Sequence, residues 1–110
     1  MALPRGDPFD ALGDQNRRAI VELLRAGTKS VRQLADELPI SRPAVSRHLR
    51  LLKEAGLVTD RAQGSSRLYE LHDEGVAAVH EYLERVWGDA ASRFRLFAEN
   101  TTPGPPSSLD

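Results

Sequence analysis

One segment, residues 41–53, constrains the fold of this 110-residue chain more than any other part of it. It reads S-R-P-A-V-S-R-H-L-R-L-L-K, and Val45, Leu49 and Leu52 recur at the i, i+4 and i+7 spacing of one helical face. Ser41 stands where an N-cap hydroxyl is needed, and Pro43 lies in the first turn, where a missing N–H costs nothing. A glycine three residues after the segment is the stop signal. The segment therefore predicts a helix with an apolar back and an arginine-bearing front.

The front of this helix carries short polar groups and arginines, which are side chains that reach base edges in a DNA major groove. We expect DNA contacts from Ser41, Arg42, Pro43, Ser46, Arg47 and Arg50. An isolated cationic helix is more often only a solvated surface, so the elements around it decide between the two interpretations. His48 adjoins the apolar face, and we expect it to pack or to form a hydrogen bond inside the domain rather than to read a base.

Three shorter helices are predicted before this segment. The first covers residues 8–12, the second runs from the cap Asp14 to about Ala26, and the third runs from the cap Ser30 through Leu38. The break over residues 38–40 is short, so the third and fourth helices form a helix-turn-helix pair.

Two short strands are predicted after the fourth helix, over residues 57–61 and 67–71, around a turn at residues 63–66. A hairpin in this place forms a wing, whose cations and polar tip suit the DNA backbone and the minor groove. The expected wing contacts are Arg61, Gln63, Ser65, Ser66 and Arg67. A last helix, capped by Asp73, extends to about Glu99. The fold class is therefore mainly α with a small β-hairpin (α+β), a winged helix-turn-helix with the order α-α-α-α-β-β-α.

The domain is expected to cover residues 8–99, between a flexible N-terminus at residues 1–7 and a disordered, proline-containing tail at residues 100–110. The chain has no cysteine, which excludes disulfides and thiolate metal sites. No apolar run approaches the roughly 18 residues of a membrane span, and the N-terminus has no signal-peptide core. We therefore expect a cytoplasmic protein.

Charge is distributed unevenly along the chain, although its net value is only -1. Residues 28–67 hold eight Lys and Arg against four Asp and Glu (net +4), whereas the rest holds seven against twelve (net -5). Such asymmetry is typical of a protein with one face that meets phosphates, although solvated surfaces also carry charge blocks.

Four segments together resemble a known family. They read A-L-G-D-Q-N-R-R-A-I-V-E-L-L (11–24), Q-L-A-D-E-L (33–38), S-R-P-A-V-S-R-H-L-R-L-L-K-E-A-G-L-V (41–58) and G-S-S-R-L-Y-E-L (64–71). In these, and over about residues 9–97, the chain is similar to the ArsR/SmtB family of bacterial winged-helix repressors. The resemblance implies a homodimer that binds operator DNA and, in most members, represses nearby genes.

The best-known members of that family release DNA when they bind a metal ion, and this chain departs from both of their metal sites. The cysteine pair of their third helix is replaced here by Ser30 and Arg32, which are not useful ligands for zinc or arsenite. Gly75 stands in place of the histidine of an Asp-x-His pair. His80 and Glu84 lie four residues apart, which is a weak metal signal. No metal or cofactor is expected; a metal-responsive sensor of the same fold, and a winged helix used only for protein interaction, remain the alternatives.

Apolar residues of the last helix follow a near-heptad spacing, over a length that exceeds the needs of a small core. We expect them to form a homodimer interface with the first helix, through Phe9, Leu12, Val79, Tyr82, Leu83, Val86, Trp87 and Ala90. The same stripe could instead cover the winged helix of its own chain, and each edge could do one of the two. A symmetric dimer requires an inverted-repeat operator. The expected partners are double-stranded DNA and a second copy, without a membrane.

No enzyme activity is expected from this chain. It has no nucleophile elbow, no phosphate-binding loop and no carboxylate pair at a useful spacing. The serines near His48 are better explained as helix caps and groove contacts.

Overall fold

The structure, a computed structural model, describes residues 6–101, except for the side chains of residues 91, 92, 95–97 and 99–101. Within this range five helices and one antiparallel hairpin confirm the predicted order: α1 (Pro8–Ala11), α2 (Gln15–Leu24), α3 (Val31–Glu37), α4 (Arg42–Glu54), β1 (Val58–Gln63), β2 (Ser66–Leu71) and α5 (Asp73–Thr101). Residues 1–5 and 102–110, which include most of the termini predicted to be flexible or disordered, lie outside the described residues.

The chain divides into two compact units between Val79 and His80. The first unit contains the winged helix-turn-helix and the first residues of α5, and the second contains the rest of α5. Within residues 6–101, no helix combines the length and the apolar character that crossing a membrane requires.

The core of the first unit is aliphatic and is built around α4. Val45, Leu49 and Leu52 are fully buried, as their spacing predicts, and they share one cluster with Ile20 of α2 and Leu34 of α3. Burying an aliphatic side chain of this size contributes about 1.5–3 kcal/mol to stability. This cluster therefore fixes the rotation of α4 about its own axis and leaves the other side of the helix in solvent.

Both ends of α4 are closed by the local chemistry that the sequence predicts. The Ser41 hydroxyl oxygen accepts a hydrogen bond from the Ala44 N–H at 3.3 Å. At the other end, Gly56 adopts a φ of 81°. The N–H groups of Gly56 and of the next residue donate to the carbonyls of Lys53 and Leu52, each at 3.0 Å. This pair of bonds is a Schellman motif, which satisfies carbonyls that the helix leaves open.

Some predicted helix ends differ from the observed ones. α2 ends at Leu24, two residues before the predicted end. Leu38 lies beyond the end of α3 in an extended conformation, because the residue before a proline is disfavoured in a helix. Asp73 is the first residue of α5 rather than its cap, and its carboxylate lies in the first turn, where it interacts favourably with the helix dipole. α5 continues to Thr101.

Residues 6 and 7 are the described part of the N-terminal segment that the sequence predicts to be flexible, and each forms a hydrogen bond. The Gly6 N–H donates to the Glu54 carbonyl at 3.0 Å. The Asp7 carboxylate caps α1 by accepting from the Phe9 N–H at 2.9 Å. The first bond connects the start of the described chain to the end of α4, and the second connects it to α1.

The wing is a two-residue hairpin, tighter than the four-residue turn that the sequence predicts. Gln63 and Ser66 are paired as the last residues of β1 and β2, so the turn consists of Gly64 and Ser65. Gly64 has a φ of 62°. A glycine with positive φ at the first turn position is typical of a type II′ turn, whose twist matches that of the strands.

A single β-bridge joins the wing to the chain between α2 and α3. Lys29 and Tyr69 exchange two backbone hydrogen bonds, at 3.0 and 2.8 Å. The sequence does not predict this bridge, because Lys29 pairs as a single residue and a single residue cannot show the alternating pattern of a strand. The bridge fixes β2 beside Ser30, the cap of α3, and so fixes the wing against the helix-turn-helix.

The first turn of α5 approaches the end of α4 closely, and Gly75 makes this approach possible. A Cβ atom at Gly75 would overlap the backbone carbonyl of Gly56. His72 holds the same junction, since its N–H donates to the Leu57 carbonyl at 2.8 Å and its Nδ1 lies 3.1 Å from the Gly56 oxygen. The residue at position 75 is therefore constrained by packing.

We expect Gly75→Ala to destabilise the protein by about 1–3 kcal/mol, because the backbone must shift to admit the methyl group. Gly88→Ala on the same helix is the control, since a Cβ there meets the end of the flexible Glu84 side chain at 3.4 Å. The control should gain up to about 1 kcal/mol from the better helix propensity of alanine. Urea unfolding followed by circular dichroism measures both, and a neutral or stabilising Gly75→Ala would contradict the packing role.

Candidate nucleic-acid interface

The solvent side of α4 presents every contact residue that the sequence predicts there. All six are exposed: Ser41, Arg42, Pro43, Ser46, Arg47 and Arg50. Among the described residues, no Asp or Glu oxygen lies within 4 Å of the guanidinium groups of Arg42, Arg47 or Arg50. The three charges are therefore available to an external anion.

The predicted wing residues are also exposed, but two of them have internal partners. These residues are Arg61, Gln63, Ser65, Ser66 and Arg67. Arg61 Nη1 lies 3.6 Å from Glu70 Oε1, a distance at which exposed pairs contribute little. Arg67 Nε donates to Asp60 Oδ2 at 2.7 Å.

Asp60 of β1 links the wing to α4, a role that no sequence pattern indicates. Its side chain is only 7% exposed, and its second oxygen lies 2.7 Å from Lys53 Nζ. Hydrogen bonds from Lys53 and then Arg67 lower the pKa of Asp60, and Asp60 in turn raises the pKa of Arg67. The carboxylate thus orients Arg67 and neutralises part of the positive charge that we expect to face DNA.

His48 is the buried polar residue of α4, 5% exposed, as the sequence predicts. Arg17 of α2 links it to α1, because Arg17 Nη1 lies 3.3 Å from His48 Nδ1 and Arg17 Nε donates to the Ala11 carbonyl at 2.7 Å. Burial lowers the pKa of His48, and the charges of Arg17 and Arg47 act in the same direction against Asp14. A neutral imidazole with its proton on Nε2 accepts from Arg17. No sequence pattern indicates this contact between Arg17 and His48.

We expect the lowered pKa of His48 to make stability depend on pH. Above the ordinary histidine pKa of 6.5 the imidazole is neutral in both states, and its contribution is complete. As the pH falls below that value, the unfolded chain takes up a proton that the folded protein resists, so stability is lost. Thermal unfolding between roughly pH 8 and pH 5, above the usual range of carboxylates, measures this. His48→Gln should flatten the dependence and the exposed-site control His80→Gln should not; an unchanged slope in His48→Gln would exclude the assignment.

The residues predicted to form a dimer fall in both units. In the first unit, Phe9 is exposed, whereas Leu12 and Val79 pack partly against the core. In the second, Tyr82, Leu83, Val86 and Trp87 are exposed, and Ala90 is half-buried. Trp87, at 59% exposure, is an unusually large apolar surface to leave in water.

Comparison with known proteins identifies the family. Residues 14–60 match the family described as "Bacterial regulatory protein, arsR family". Over 86 residues the chain is 49% identical to the HTH-type transcriptional regulator Rv2034 of Mycobacterium tuberculosis, an alignment that covers 78% of this chain and 80% of that protein. The chain belongs to the arsR family.

Further similarities agree with membership of the arsR family. Over 64 residues the regulator is 36% identical to the transcriptional repressor SdpR of Bacillus subtilis, covering 58% of this chain and 71% of that protein. A crystal structure of a possible transcriptional regulator for arsenical resistance shares 39% identity and a TM-score of 0.71, covering 82% of this chain and 94% of that one. The arsR-family chain is a DNA-binding transcriptional regulator, and its relatives are named as regulators rather than enzymes.

The arsR-family regulator shows no metal centre in the part of the chain that the structure describes. There, no three His, Asp or Glu side chains are grouped so that they could hold an ion. Ser30 caps α3 and Arg32 is exposed on it, at the positions that the resemblance assigns to a cysteine pair. His80 and Glu84, the weak metal signal of the sequence, are both exposed on α5.

Proposed function

We propose that this arsR-family regulator is a homodimeric repressor that binds an inverted-repeat operator through α4 and the wing. The observation that carries the proposal is the arrangement of α4. Its aliphatic side is fully buried, and its exposed side carries three arginines that have no carboxylate partner among the described residues. A helix anchored in this way presents its polar side to the major groove, where arginine recognises guanine N7 and O6.

The two elements have different roles in this proposal. Ser46 and Arg47 of α4 contact base edges, and Arg50 contacts a base or a phosphate. Arg61 and the wing tip lie along the backbone, where their cations respond to the charge and width of the minor groove. Occupation of a promoter by such a protein excludes the transcription machinery, which makes repression the expected outcome; the relative SdpR is named as a repressor.

Exposed apolar surface supports a homodimer. Leu83, Val86 and Trp87 share one face of α5 at the spacing i, i+3 and i+4, and all three are exposed. The first unit adds an apolar groove of about 110 Å³, whose lining includes Leu12 and Val76. Apolar surface of this kind on a small soluble domain marks an interaction site. We assign it to a second copy, because a symmetric dimer places two recognition helices on one side of the duplex.

We expect Arg47→Ala to lower operator affinity by between about fivefold and more than a hundredfold for each subunit bound, the equivalent of one base contact of about 1–3 kcal/mol. Binding to random duplex should change far less. Fluorescence anisotropy with a fragment of the protein's own upstream region measures both. Arg25→Ala is the control, since Arg25 is the exposed C-cap residue of α2 and is bound to Glu22 at 2.8 Å. If the wild-type protein does not prefer the upstream fragment to random duplex, the proposed function is wrong.

We expect Leu83→Glu to convert the dimer into monomers, because the substitution buries a charge in an apolar interface. Ala77→Glu is the control, since Ala77 is exposed on a different face of the same helix. Sedimentation velocity reports the oligomeric state, and circular dichroism reports that both variants remain folded. A dimer that survives Leu83→Glu would show that α5 does not form the interface.

A further inference from the structure

A cleft of about 320 Å³ opens between the start of α3, the start of α4 and the wing. Its polar lining comes from all three elements and their caps: Ser30, Arg32, Arg42, Ser66, Arg67 and Tyr69. We refer to it as the arginine cleft. Three guanidinium groups surround it, and none of the described residues that line it is acidic, so its chemistry selects an anion.

The arginines of the cleft are available to a ligand. Within the described residues, no carboxylate oxygen lies within 4 Å of the Arg32 or Arg42 side chains. Arg67 binds Asp60 through Nε, and this contact leaves its two terminal nitrogens as donors. A guanidinium held at one edge is pre-oriented, so it loses less side-chain freedom when it binds an oxyanion.

The backbone bonds of a β-bridge and the capping box of α3 hold the cleft open. The bridge between Lys29 and Tyr69 fixes β2 beside the start of α3. Ser30 and Gln33 form a reciprocal capping box, in which the Ser30 oxygen accepts from the Gln33 N–H at 3.1 Å and the Ser30 N–H donates to the Gln33 side chain at 2.8 Å. The Ser30 hydroxyl hydrogen remains a donor for the cleft.

We propose that the arginine cleft binds one phosphate group of the DNA backbone, with Arg32 as a contact beside Arg42 and Arg67. The proposal rests on the proposed function and deepens it, since it adds Arg32 and Ser30 to the interface and assigns this part of it to a phosphate rather than a base. A free phosphorylated small molecule offers the same chemistry. The position of the cleft between two elements that meet DNA favours the backbone as the source.

The test is the salt dependence of DNA binding by full-length Arg32→Gln. Each phosphate contact contributes about 0.9 to the slope of log affinity against log salt, so the slope should fall by about 0.9 for each subunit bound. Affinity should fall by a similar factor on the upstream fragment and on random duplex, because a phosphate carries no sequence information. Arg25→Gln removes the same charge from outside the cleft and should keep the wild-type slope. Arg32→Lys retains a cation and should also keep most of it.

Several results would overturn the proposal. One is a wild-type slope in Arg32→Gln, and another is a loss confined to the upstream fragment, which would make Arg32 a base contact. Inorganic phosphate, titrated into the wild type and Arg32→Gln and followed by amide shifts near Ser30 and Ser66, distinguishes the source. Phosphate binding that Arg32→Gln abolishes without changing the DNA slope would assign the cleft to a free anion. The slope is measurable on random duplex, so the proposal can stand or fail separately from operator preference.

Discussion

Val45, Leu49 and Leu52 of α4 leave no surface in water, and the direction of the arginines follows from their burial. Replacing a buried leucine by alanine typically costs about 2–5 kcal/mol, so a rotation of α4 that exposed all three residues would cost an amount comparable to the whole stability of a small domain. Burial of the aliphatic side therefore keeps the arginine side of the helix in solvent. Packing in the core thus determines which side of α4 is available to DNA.

Two charged contacts extend this control beyond α4. Arg17 connects His48 to the end of α1, an element of the proposed dimer, and Asp60 connects Lys53 of α4 to the wing. Each contact joins the recognition helix to a neighbouring element through a buried or nearly buried polar group. The Asp60 contact also neutralises positive charge, because Asp60 binds two of the eight cations in residues 28–67. The unpaired cationic surface of this segment is therefore smaller than the number of its Lys and Arg residues suggests.

The order of elements and the orientation of α4 could be predicted because their signals are local. Apolar spacing, the Ser41 cap and the glycine stop all lie within one stretch of chain. The contact between Arg17 and His48 spans 31 positions, and no pattern in either helix indicates it. Gly75 is visible in the sequence, but the carbonyl that approaches it is not. In the sequence, Asp60 is only one negative charge among several. Its two ion pairs depend on the hairpin register, which brings Arg67 to it, and on the position of the end of α4, which brings Lys53 to it. What escaped prediction depends on tertiary neighbours rather than on propensity.

The bridge between Lys29 and Tyr69 divides the chain into parts that tolerate changes of length and parts that do not. Between Gly27 and Ser30, an inserted residue would carry Lys29 out of register with β2 and displace the cap of α3. At Gly64 and Ser65 the hairpin ends in solvent, beyond the last strand pair, so extra residues there lengthen the wing without disturbing the helices. Evolution can therefore vary the reach of this fold at the hairpin tip while the helix-turn-helix stays unchanged.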